Sequence, residues 1–169
     1  MDAMMEGIRP HGRFIVECRD PRGRLKWREI AENLVVDEGL NYILDVMFLS
    51  GTAQIDPFYV GLTGSTPSPA SGDTMGSHGG WTEVTAYDET NRQEYVDSRT
   101  NQTVSNSGSV AAFTINSDGT TIGGAFLVSD NTVGGTSGTL LCASAFSGGD
   151  KSADSGDTVN VTYDFSASG

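Results

Sequence analysis

The chain has 169 residues, 22 of them glycine, with 22 Asp or Glu against 10 Lys or Arg and a formal net charge of −12. The length fits one domain with a buried core, and the glycine content with abundant Ser and Thr fits a β-rich chain with many turns. The acidic excess argues against nucleic acid or an anionic membrane as partner, because either surface needs clustered cations.

Residues 1–12 carry Gly7, Pro10 and Gly12 as breakers and are expected to form a flexible arm ahead of a single β-rich domain over 13–169. The start lacks the apolar core of a signal peptide, and no stretch nears the roughly 18 apolar residues of a membrane span. Synthesis in a cytoplasm is therefore expected. Residues 14–19 and 24–30 read as two strands of a hairpin. Between them, Asp20-Pro21-Arg22-Gly23 puts Pro second and Gly fourth in a type I turn. Leu25 and Trp27 alternate with Arg24, Lys26 and Arg28, which predicts one apolar and one basic face.

Charge is uneven along the chain. The first 28 residues hold seven cations against four acids, a net of +3, and the remainder holds three cations against eighteen acids, a net of −15. Arg9, Arg13, Arg19, Arg22, Arg24, Lys26 and Arg28 are thus the candidate contacts to an acidic partner or to a second copy. The plain alternative is a solvated hairpin face.

Residues 33–51 contain the one convincing helix, predicted over about 37–50. Asp37 is the expected N-cap, Glu38 lies near the positive helix end, and Gly51 is the stop. Leu40, Ile43, Leu44, Met47 and Phe48 recur at i, i+3, i+4, i+7 and i+8, which predicts an apolar face turned to the core. On that pattern the helix plugs or flanks a β-sheet.

Residues 57–62 predict a buried strand. Residues 63–80, rich in Ser, Pro, Thr and Gly, predict a long surface loop, and residues 99–108 a second one. Residues 87–95 are polar enough for a turn or a short edge strand. Residues 110–115 and 120–128 read as strands joined by Asp118-Gly119, a hairpin signal. Residues 139–146 form a further strand and 148–156 a polar loop. In the last strand Val159, Val161, Tyr163 and Phe165 alternate inward against Thr158, Asn160, Thr162 and Asp164. Turn signals at this spacing predict a mainly β fold, an antiparallel β-sandwich or barrel-like domain with one amphipathic α-helix and an N-terminal hairpin.

Chemical motifs are sparse. There is no phosphate loop, no dinucleotide fingerprint and no nucleophile elbow. Cys18 and Cys142 lie far apart in apolar runs and read as small buried hydrophobes. Glu83, Asp88, Glu89 and Glu94 interleave with Trp81, Tyr87 and Tyr95, a composition that a glycosidase would tolerate. Asp150, Asp154 and Asp157 are the acids a calcium ion would need, although their spacing is not that of an EF-hand. Neither cluster has the geometry-specific spacing of a catalytic or metal motif. No catalytic residue, cofactor or metal ligand is assigned, and the chain is not expected to be an enzyme.

Two groups of segments carry a resemblance. NLVVDEGLN at 33–41, FYVGL at 58–62 and WTEVTAY at 81–87 form the first. AFTI at 112–115, IGGAFL at 122–127, GTL at 138–140 and GDTVNVTY at 156–163 form the second. Together they resemble small virion structural proteins of tailed bacteriophages, most of all capsid decoration (cement) proteins. The resemblance implies a stable β scaffold on the capsid exterior that binds the major capsid protein, stabilises the shell and assembles as a homotrimer, after synthesis in the host bacterial cytoplasm. The alternative within the same group is a tail or fibre component that contacts the host receptor through its loops.

Overall fold

The computed structural model describes residues 9–168. Its element order is β1 (Arg9–Arg19), β2 (Leu25–Val35), α1 (Asp37–Phe48), β3 (Tyr59–Thr63), β4 (Gln93–Glu94), β5 (Ser98–Thr100), β6 (Thr103–Ser105), β7 (Ala111–Thr114), β8 (Thr120–Ile122), β9 (Gly124–Val128), β10 (Leu140–Ser144), β11 (Lys151–Ala153) and β12 (Thr158–Ser168). The fold is mainly β and barrel-like, an antiparallel sheet curled into a half-barrel, with one helix among the described residues.

The sheet runs β4-β3-β9-β10-β2-β1-β12-β6-β5, and β7 also pairs with β12. Three long strands make it curl. β1 pairs with β12 along its whole length, from Arg9 opposite Ser168 to Arg19 opposite Thr158. β2 pairs with β1 through residues 25–32, and its last three residues cross to β10, Asn33 facing Ser144. β12 carries β7 beside its first half and β6 beside its second. A long strand that serves two partners in tandem must bend between them, and the sheet follows.

The expected arm at 1–12 is in part a strand. Residues 1–8 lie outside the described residues, but residues 9–12 are strand, against the expectation that they are flexible. Gly12 is no breaker here. Its side faces the ring of Tyr163, and a Cβ would collide with the tyrosine hydroxyl. The hairpin forms where the sequence places it. Gly23 at φ 79° closes the turn, its N–H donating to the Asp20 carbonyl at 2.8 Å, while the Asp20 carboxylate accepts the N–H groups of Arg22 and Arg24 at 2.9 Å. That is a type I turn followed by a left-handed glycine.

Inward alternation builds the core. Phe14, Val16 and Cys18 of β1 meet Val159, Val161 and Tyr163 of β12, all fully buried. β9 and β10 are buried on both faces. Ala125 and Leu127 point into the half-barrel, and Phe126 and Val128 point the other way into a second cluster with Met75 and Trp81. The supposed surface loop at 63–80 therefore covers the outer face of the sheet. Trp81 donates its indole N–H to buried Asp73 at 3.0 Å, and His78 stacks on Trp81 with ring centroids 3.8 Å apart.

Three further expectations change. Asp118-Gly119 does turn the chain, with Gly119 at φ 68°, but the flanking strands do not pair: β7 joins β12 and β8 joins β11. Residues 99–108 contain the β5–β6 hairpin rather than a bare loop. The polar loop at 148–156 contributes β11.

Candidate interaction surface

The helix is the least conventional part of the fold. Its N-cap position is Val36 rather than Asp37, and no side chain caps it. Two other devices fix its start. Glu38 accepts the N–H of Leu140 at 2.9 Å, and the N–H of Asp37 donates to the Ser71 carbonyl at 2.8 Å. Gly39 then lies against β10 so closely that a Cβ would run into the carbonyl of Leu141.

This docking sets the rotation of the helix. The inward face is Gly39, Tyr42, Ile43 and Val46, which keeps Ile43 of the predicted stripe but not Leu44, Met47 or Phe48. Leu44 is 54% exposed, Met47 61%, Phe48 73% and the following Leu49 59%. The sequence pattern located an apolar face correctly but not its burial, because period alone cannot say which side of a face finds a partner. Four large apolar side chains at the C-terminal end of the helix thus meet water together, the kind of contiguous patch that marks an interaction site.

Beside the patch, between α1 and the open side of the curled sheet, lies a cleft of about 360 Å³. Tyr42 and Phe58 form its back wall edge to face, with centroids 5.8 Å apart. Leu127, Leu141 and Phe165 supply its floor, Met47 its lip, and Asp56 and Asp97 its two charged positions. The tyrosines of the lining already have partners. Tyr42 accepts the N–H of Ile55 at 2.6 Å, Tyr95 donates to the Tyr163 carbonyl at 3.1 Å, and the Tyr163 hydroxyl accepts from Asn33 at 2.8 Å. What the cleft offers is apolar surface with acids at its mouth.

The seven hairpin cations are mostly engaged within the chain. Arg13 pairs with Asp164 at 3.1 Å, Arg19 and Arg28 share Glu17, and Arg24 pairs with Asp20. Lys26 lies between Asp154, at 2.9 Å, and buried Asp157. Those hydrogen bonds, the one to Asp157 foremost, hold the Lys26 ammonium well above its ordinary range, and the same contact keeps the Asp154 carboxyl below its own. Arg9 and Arg22 make no salt bridge among the described residues.

The acid clusters also go to structural work. Glu83 grips Arg92 with both oxygens, each at 2.8 Å, and accepts the N–H of Gly134 at 2.9 Å. The Arg92 side chain is fully buried, donates to the carbonyls of Asp130 and Gly135 at 2.8 Å, and lies 5.4 Å from the centre of the Phe126 ring. Glu89 accepts the N–H of Thr114 at 3.0 Å. Asp150 is not brought to Asp154 and Asp157; it holds the N–H of Thr66. Among the described residues, no three His, Cys, Asp or Glu side chains gather as a metal would require. Sequence reasoning missed Arg92, and the signal was its isolation as the sole cation between Arg28 and Arg99.

Comparison with protein-family models, curated proteins and solved structures finds no match to this chain.

Proposed function

We propose that this chain is a non-enzymatic structural protein of a tailed-bacteriophage virion, a head decoration protein that sits on the capsid exterior, binds the major capsid protein and associates as a homotrimer. The observation that carries the reading is the exposed C-terminal end of α1, where Leu44, Met47, Phe48 and the following Leu49 stand together in water on an otherwise acidic protein. A patch of this kind is costly to keep unless a partner covers it. The resemblance across residues 33–165 supplies the kind of particle. A decoration protein needs a rigid scaffold and an adhesive face, and burial of that face across neighbouring capsid subunits stabilises the shell by mass action.

The test is a copy count, with this chain quantified against the major capsid protein in purified particles. A fixed ratio with hundreds of copies is expected. A dozen copies or fewer would move the protein to the tail or a fibre, and absence from the particle would overturn the virion reading altogether.

A further inference from the structure

The cleft and the helix end form one continuous surface, since Met47 is both lip of the cleft and part of the exposed turn. Three features define what it can hold. The tyrosine hydroxyls of its lining are internally bonded, and most of the other lining side chains are apolar, so it favours apolar surface over a polar ligand. Its charged positions are acids only: Asp56 and Asp97 line the cleft, and neither makes a salt bridge among the described residues. The acidic setting also extends well beyond the cleft, for between Arg28 and Arg92 the chain has ten Asp or Glu and no Lys or Arg.

A second copy is poorly matched to this surface. Five of the seven hairpin cations are already paired within the chain, and two acidic rims brought face to face repel. We infer that the cleft between α1 and the curled sheet, with Met47 as its lip and Leu44 and Phe48 exposed on the same helix end, receives a segment of a different polypeptide, one that inserts a large apolar side chain and flanks it with Lys or Arg. The inserted side chain fills the space between Tyr42, Phe58 and Phe165, and the flanking cations meet Asp56 and Asp97. The inference rests on reading the helix end as the attachment face, but not on the identity of the particle.

The test uses the full chain, immobilised and panned against a displayed library of short random peptides. Enriched peptides are expected to share a Phe, Trp, Leu or Met within a few residues of two or more Lys or Arg. A synthetic peptide of that sequence is expected to lose about tenfold or more in affinity for Met47→Asp, as hot-spot truncations do. It should bind the Asp56→Asn, Asp97→Asn double variant less tightly, with a weaker salt dependence. Glu32→Gln, which neutralises an exposed acid on β2, should bind as the parent does. Circular dichroism of each variant verifies that the fold is kept. A library that yields no shared apolar and basic pattern, or a selected peptide that binds Met47→Asp as tightly as the parent, overturns the inference. Failure here alongside a high copy number would strike the cleft and leave the virion role standing; success alongside absence from particles would do the reverse.

Discussion

Arg92 shows what a single residue contributes to this fold. A guanidinium with no exposure is tolerable only when its donors are met, and here four hydrogen bonds, to a carboxylate and two carbonyls, and an aromatic face surround it. Arg92→Ala would strand the Glu83 carboxylate in a site where its side chain is 5% exposed. Removing one partner of a buried pair should cost about 3–5 kcal/mol, measurable by urea unfolding. Arg92→Lys should recover little of that, because an ammonium cannot reproduce the forked contact. The cysteines give a pH prediction. Both are free thiols, and burial pushes Cys18 up to about 12 and Cys142 to about 11, from an ordinary 9.0. The folded chain therefore keeps protons that the unfolded chain releases. Their stabilising effect is complete below pH 9 and is lost as the pH rises from there through 11 to 12. Alkylation with iodoacetamide at pH 8 should leave both thiols unmodified until the chain is unfolded, and rapid labelling of the native protein would contradict their burial.

Among the elements, the helix separates pattern from packing most clearly. Its apolar stripe predicts that Leu44→Asp is severely destabilising, yet Leu44 is more than half exposed and the same change should alter stability by no more than about 0.5 kcal/mol. Gly39→Ala should do the opposite of what propensity expects. Alanine favours a helix over glycine by about 1 kcal/mol, but its Cβ meets the backbone of Leu141, which cannot swing aside, so a net loss of about 1–3 kcal/mol is expected in thermal or urea unfolding. The alternating strands were readable in the sequence because period 2 and burial coincide in β12, where Val159, Val161 and Tyr163 are all fully buried. The Asp20–Gly23 turn was readable because its chemistry is local. Partner choice was not, since nothing local in Asp118-Gly119 states that β7 goes to β12 and β8 to β11. The role of residues 63–80 was hidden for a related reason: Met75 and Trp81 look sparse in sequence, but they reach a sheet face that is already half apolar.

At the scale of the whole molecule, charge and apolar surface are arranged in opposition. The basic hairpin, expected to make outside contacts, spends most of its cations on nearby carboxylates. Such exposed pairs contribute about 0–1 kcal/mol each, and their main effect is to neutralise the hairpin. The acids around the cleft remain uncompensated among the described residues, and the apolar helix end stands beside them. The candidate site was thus half legible. The stripe was visible in the sequence, but its exposure follows from Gly39 docking on β10 and from the cleft left by a sheet that does not close.

The most direct measurement is re-addition of this protein to purified particles that lack it, with bound copies counted for the parent, Met47→Asp and Glu32→Gln. We expect the parent and Glu32→Gln to saturate the particle at the same number of copies, and Met47→Asp to bind at least about tenfold more weakly while remaining folded. Equal occupancy by Met47→Asp would contradict attachment through the helix end.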